Sequence, residues 1–238
     1  MDVLDKQIPK VLARLSGVMD FRRAAAEAVK GDVQVVVSGL NGSAKALFAA
    51  GLWQSARRPI LVVIPRERDA AAMASDIEYF HSALNGAPAE RVCRFPTWEN
   101  DPYSGITPHA DVLQTRAATL WSLRQKQADI VVASIRAASS RLTAAEQFDR
   151  YGLHVRKGDE LSQELLVEHL ASAGYLRQEP VSAPGEFSVR GGIVDVFSPR
   201  MRAPVRMEFF GDSVDSLREF DLDDQRSRSP VQIGRAHV

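Results

Sequence analysis

Four short candidate strands, three of them apolar runs, separated by helix-forming stretches, constrain this chain more than any other feature. They are Gln34-Val35-Val36-Val37-Ser38, Ile60-Leu61-Val62-Val63-Ile64, residues 91–95 and Ile130-Val131-Val132-Ala133-Ser134. β-Branched residues lose χ1 freedom in a helix and fit a pleated surface, so each run reads as a strand. A strand that is apolar at nearly every position has no side left for water. It needs a parallel sheet with helices on both faces. Between the strands, residues 44–52, 68–84 and 110–124 carry helical spacing, the last with Val112, Leu113, Ala117, Leu120 and Leu123 turned inward. The first domain is therefore expected to be α/β and to run over residues 1–151.

Beyond residue 151 the pattern changes. Leu153-His154-Val155-Arg156-Lys157 alternates, as a half-buried strand does. Ser162 is placed to cap a helix that runs through Leu165, Leu166 and Leu170 and stops at Gly174. Short strands are expected over 186–189, 193–197, 205–210 and 214–220, punctuated by Pro184-Gly185, Gly191-Gly192, Ser198-Pro199 and Gly211-Asp212. One helix among many short strands indicates a small α+β domain with an antiparallel sheet, over 152–232. The last six residues, Ile233-Gly234-Arg235-Ala236-His237-Val238, match the translation of a sequencing-library adapter. They are set aside as an artefact, and the gene is expected to continue past them.

Charge and cysteine usage narrow the function classes. Lys and Arg number 30 and Asp and Glu number 30, so the net charge is zero. A domain built mainly to grip phosphate backbone is usually basic. The unevenness along the chain is mild, +3 over 1–151 and −4 over 152–232. Cys93 is the single cysteine, so no internal disulfide forms and a cysteine-rich zinc site is excluded. A reducing, cytoplasmic setting is expected. No apolar run approaches the roughly 20 residues that span a bilayer, and no membrane partner is expected. The histidines, His81, His109, His154, His169 and His237, share no ligand spacing.

Gly39-Leu40-Asn41-Gly42-Ser43-Ala44-Lys45-Ala46 lies between the first strand and the first helix, where a phosphate-binding loop would lie. An intact loop needs a second glycine beside its lysine, so that backbone can wrap the phosphates. It also needs a Ser or Thr after the lysine to hold magnesium. Ala44 and Ala46 occupy those two positions. Gly39, Gly42, Ser43 and Lys45 remain, as a degenerate phosphate loop that joins strand to helix. No nucleotide or metal cofactor is expected here.

Taken together, these motifs resemble the transcription-repair coupling factors. Gly39-Leu40-Asn41-Gly42-Ser43-Ala44-Lys45 resembles their degenerate loop. Phe95-Pro96-Thr97-Trp98-Glu99, with Pro102-Tyr103 and Thr107-Pro108, is similar to their pattern after the third strand. Gly174-Tyr175-Leu176-Arg177, the run from Pro184 to Phe197, and the run from Pro204 to Asp221 with Gln225-Arg226-Ser227 resemble a UvrB-like interaction domain. The likeness covers residues 10 to 229, and its second half is the more specific. It implies a docking module that recruits UvrA in nucleotide excision repair. It implies further domains beyond this stretch that use ATP and magnesium to translocate on double-stranded DNA and displace stalled RNA polymerase. The alternative from the same resemblance is a UvrB-like ATP-dependent damage-loading subunit. UvrB has a long tyrosine-rich hairpin after its third strand, and here only Tyr103 lies between Pro96 and Ala110. A two-domain α/β protein with unrelated partners is the third reading.

By motif, the resemblance puts UvrA contact on Arg190, Arg206 and Phe210. Arg206 and Phe210 are four apart, an even spacing that sets both on one face of a strand. The residues alone support a second reading. Either arginine could serve an internal salt bridge with Asp195 or Glu208, and Phe210 could pack in the core. The contact reading expects Arg206→Glu to leave the fold intact. Trp98 and Tyr103 are suited either to stack on bases or to pack over a sheet edge, and packing is expected.

Overall fold

The computed structural model describes residues 14, 18–30, 34–98, 109–142, 144–149, 152–199 and 201–230. The chain divides into two compact units between Ser140 and Arg141. Tyr103, His237 and residues 233–238 lie outside the described residues.

The first unit holds helices α1 (Met19–Lys30), α2 (Ala44–Ala56), α3 (Ala70–Asn85), α4 (Ala110–Arg124) and the one-turn α5 (Ile135–Ala138). Its strands are β1 (Ile60–Ile64), β2 (Val92–Phe95) and β3 (Ile130–Ser134). The strands form a parallel sheet in the order β1-β3-β2, with Ile130 in register with both Ile60 and Val92. β3 is central and all five of its residues are buried, which is why its sequence is apolar throughout. Alternate residues serve opposite faces. Ile60, Val62, Ile64, Val92, Ile130 and Val132 pack with Ala46, Ala49, Ala70 and Ile77 of α2 and α3. Val131, Ala133, Cys93 and Phe95 pack with Ala128, Ala137 and Leu120 of α4. Small residues let α1 approach α2: a side chain at Gly51 would collide with the Phe21 ring, which also meets Phe48 edge to face at 5.3 Å.

Three expectations for this unit are corrected. Residues 34–38 form no strand, and Val36 is 84% exposed. β-Branched composition describes a fit to a half-buried pleated surface, and among the described residues no neighbouring strand supplies one to this run. The second face of the sheet is only partly covered, because Leu61 and Val63 of the edge strand β1 are 58% and 45% exposed. The inner stripe of α4 is Val112, Arg116, Thr119 and Ser122, with Trp121, whereas Leu113, Ala117 and Leu123 are exposed. Polar side chains take these inner positions because strand β2 offers them acceptors. Arg116 donates to the Pro96 carbonyl at 2.6 Å and to Ser140 Oγ at 2.9 Å, and Thr119 donates to the Arg94 carbonyl at 2.7 Å. The guanidinium lies 4.0 Å from the ring centres of both Phe95 and Trp98. Trp98 thus packs, as expected. Burial draws the Arg116 pKa down to about 10 against the opposing charge of Glu67, still well above neutrality.

Where α3 ends and β2 and β3 begin, a buried cluster locks the elements together. Asp129 accepts two bonds from Arg91 at 2.6 Å and lies 3.0 Å from His81 Nε2. Asn85 donates to His81 Nδ1 at 3.0 Å, which leaves the imidazole proton on Nε2, facing the carboxylate. Trp53 meets the same imidazole edge to face at 4.6 Å.

In the second unit, α6 (Ala145–Asp149) precedes α7 (Gln163–Ser172). Strands β4 (Leu176–Arg177), β5 (Glu186–Arg190), β6 (Ile193–Phe197), β7 (Val205–Phe210), β8 (Ser213–Phe220) and β9 (Ser227–Pro230) follow. They form one sheet in that order, antiparallel except for the β4–β5 pair. Ser162 caps α7 by accepting from the Leu165 N–H, as its sequence position suggests. Leu166 and Leu170 of α7 cover one sheet face, packing with Phe187, Val194, Val196, Val205, Met207, Val214 and Leu217. The alternating run 153–157 is not a strand. At its turn Arg156 N–H donates to Asp159 Oδ2, Gly158 N–H to Val214 O, and Val214 N–H to Asp159 O. Val155 is nevertheless fully buried as a core side chain.

Candidate functional site

The strand period of two sends alternate residues of the six-stranded sheet away from α7. On β7, Val205 and Met207 are core residues, and Arg206, Glu208 and Phe210 take the other face. The register shift between Glu208 and Phe209 is absorbed on β8, where Glu208 opposes Ser216 and Phe209 opposes Val214. β7 therefore keeps its alternation to the end. Phe210 closes the strand at the Gly211-Asp212 turn, where Gly211 has φ +60. Its ring is 85% exposed, so it takes no part in the core.

Across this face, part of which a second apolar cluster of Val181, Phe197 and Phe220 covers, the register assembles a polar row, buried Ser188 and Asp195, largely buried Arg206 and exposed Arg218, on β5, β6, β7 and β8 in turn. One step towards the hairpin tips a second row holds Arg190, Ile193, Glu208 and Ser216. Asp195 is the buried hub, with a side chain 1% exposed. Arg206 grips it with two bonds, at 2.7 and 2.8 Å, and also donates to the Gln225 carbonyl at 3.1 Å. The same guanidinium lies over the Phe220 ring at 4.7 Å. Its hydrogen bond with Asp195 raises the Arg206 pKa, burial opposing. Arg190 reaches the hub from the other side at 3.0 Å, with Glu179 at 3.9 Å. Glu208 accepts from Ser216 Oγ at 2.7 Å.

The three residues singled out from sequence are thus brought onto one face, but in different states. Phe210 projects. Arg190 is 43% exposed, and Arg206 only 13%. The Asp195 partnership weighed from the sequence exists, and both arginines share it. Arg206 is therefore part of the platform as well as its surface, so the expectation that Arg206→Glu spares the fold is corrected. Such a change would set a second carboxylate against buried Asp195. Arg218, directly across from Arg206, escaped notice because nothing in its local sequence distinguishes it from a solvated charge.

The degenerate loop of the first unit is closed on itself. Gly39 and Gly42 adopt φ of +82 and +51, as a tight left-handed turn requires. The Ala44 N–H donates to Asn41 O at 3.1 Å and the Lys45 N–H to Gly42 O at 3.3 Å. An intact loop turns such amides towards phosphate oxygens. Ser43 Oγ donates to the Asp76 carboxylate at 2.8 Å, which sets a negative charge beside the turn, and Lys45 is exposed. Among the described residues no group of three or more His, Cys, Asp or Glu side chains is placed to hold a metal ion, and no helix is long and apolar enough to cross a membrane.

Residues 153–234 match the UvrB interaction domain family. The chain is 34% identical over 195 residues to a transcription-repair-coupling factor from Myxococcus xanthus, covering 82% of this chain and 16% of the relative. It is 29% identical over 204 residues to one from Escherichia coli, covering 86% and 17%. It is 31% identical over 188 residues to one from Haemophilus influenzae, covering 79% and 16%. It spans about one sixth of the length of these curated relatives. Nearly the whole second unit matches that family, and the likeness to the longer proteins runs well into the first, so the chain is a relative of the transcription-repair-coupling factors that carries a UvrB interaction domain at residues 153–234.

Proposed function

We propose that the sheet face of the second unit turned away from α7 docks onto UvrA through its exposed residues and so recruits it to nucleotide excision repair. The observation that carries this reading is Phe210, a large apolar ring 85% exposed at a sheet tip, two strands away from the half-exposed Arg190. An aromatic with arginine beside it is the residue chemistry of an interface anchor. Burying the ring in a recess of the partner is worth about 2–3 kcal/mol. Arg190 and Arg206 are held in place by Asp195 before binding, so little side-chain entropy is lost on docking.

In this reading the first unit is a scaffold without nucleotide, acting in the cytoplasm. Its closed loop and the Asp76 carboxylate argue against the alternative of a UvrB-like ATP-dependent loader. The whole protein is an ATP-driven translocase on double-stranded DNA that displaces stalled RNA polymerase, with ATP and magnesium held outside these residues. The test is a binding titration of purified UvrA with this chain. Phe210→Ala and Arg190→Ala are each expected to weaken binding at least tenfold, with parental far-UV circular dichroism. Parental affinity in both variants overturns the assignment.

A further inference from the structure

Arg218 lies on the face just described, directly across β7 and β8 from Arg206, and its side chain is exposed. Like charges set opposite each other on a sheet repel. The nearby carboxylates are already engaged. Asp195 is gripped by Arg206 and Arg190, Glu208 accepts from Ser216, and Asp221 is paired with Arg228 at 2.6 Å. Among the described residues no carboxylate lies within bonding distance of Arg218. Of the side chains of Arg190, Arg206 and Arg218, that of Arg218 alone makes no hydrogen bond or ion pair among the described residues, and a guanidinium in that state suits bidentate capture of an incoming carboxylate.

We infer that the docking surface extends past Arg190, Arg206 and Phe210 to Arg218, which takes a carboxylate of the partner protein while Phe210 fills an apolar recess beside it. This rests on the reading that the face binds UvrA, and it specifies the partner's chemistry: an acidic residue set about 14 Å from an apolar hollow. That distance follows from four residues along β7 and one strand across. It fits within an interface burying about 800 Å² on each partner. Arg206 is the rigid post between the two contacts, its charge answered from within.

Purified UvrA titrated with the chain and its Arg218→Glu, Arg218→Gln and Phe210→Ala variants, at rising salt, tests this. Arg218→Glu is expected to weaken binding at least tenfold, and Arg218→Gln by less. Arg218→Gln should also make affinity fall less steeply with salt, since an exposed ion pair at the rim has been removed. Both substitutions are at an exposed position, so parental circular dichroism is expected. Parental affinity and salt slope in both Arg218 variants, with binding lost in Phe210→Ala, overturn the role of Arg218 and leave the docking face standing. Parental affinity in Phe210→Ala as well overturns the docking face and Arg218 with it.

Discussion

Asp195 interrupts an apolar strand, between Val194 and Val196, in a place water does not reach. A carboxylate buried there survives only if cations meet it, and Arg206 and Arg190 do so from neighbouring strands. The two are not equivalent. Arg206 supplies two short bonds from a buried position, whereas Arg190 supplies one from a half-exposed position. Removing Arg206 strands the charge, and Arg206→Ala is expected to destabilise the second unit by about 3 kcal/mol. Arg190→Ala is expected to cost under about 1 kcal/mol, because its own side chain is half-exposed and Asp195 keeps both bonds from Arg206. Hydrogen exchange of the β6 and β7 amides in the two variants measures this. Equal protection in both would show that Asp195 does not depend on Arg206.

At the scale of elements, the Asp129 cluster ties the end of α3 to the strands it covers. Burial raises the Asp129 pKa, but bonds from Arg91 and His81 outweigh it, so the group titrates below the ordinary carboxylate range. A depressed folded-state pKa adds stability that is complete above the unfolded value, near 4, and is lost as pH falls through the folded one. Asp129→Asn is therefore expected to lower the stability of the first unit by about 2–3 kcal/mol at pH 7, with the gap to the parent closing below about pH 4. Trp53, Trp98 and Trp121, the three tryptophans of the chain, all lie in this unit, so their fluorescence reports its unfolding. A gap that stays constant down to pH 3 would show that ionised Asp129 is not its source. The glycine turn leads to a separate expectation. With the Ala44 and Lys45 amides spent on the turn, the chain should show no magnesium-dependent ATPase activity, and an activity abolished by Lys45→Ala would refute this.

The elements also differ in how far their sequences disclose them. Strand β3 was plain because neighbours bury it in the way its composition demands, and β1 because it pairs with β3 along its whole length. Run 34–38 is similarly β-branched but has no strand neighbour among the described residues, and composition carries no information about pairing. Helix α4 misled for the opposite reason. Its inner stripe includes Arg116, Thr119 and Ser122, and hydrophobic spacing passes over polar side chains that are satisfied by carbonyls in and just after β2 or, for Ser122, by the Ala118 carbonyl of the helix itself. On the open face, even spacing placed Arg206 and Phe210 together, and the resemblance picked out Arg190. That one carboxylate serves both arginines, and that Arg218 stands opposite, depends on register between distant strands, which local sequence does not express.

For the whole molecule, the alternation of strand and helix was enough to distinguish a parallel sheet in one unit from a largely antiparallel sheet in the other. Each unit has its own apolar core, of the kind that lets a domain stand alone. They differ in finish. The second unit turns Phe210, Leu165 and Leu176 outward singly among charges, whereas among the described residues the first ends its sheet on β1, with Leu61 and Val63 bare on one side. A sheet margin of that kind templates the addition of like strands. Concentrated alone, this polypeptide should scatter light as oligomers accumulate, and a Leu61→Lys change should suppress the scattering without altering affinity for UvrA. In a cell the same margin would offer a chaperone a place to hold.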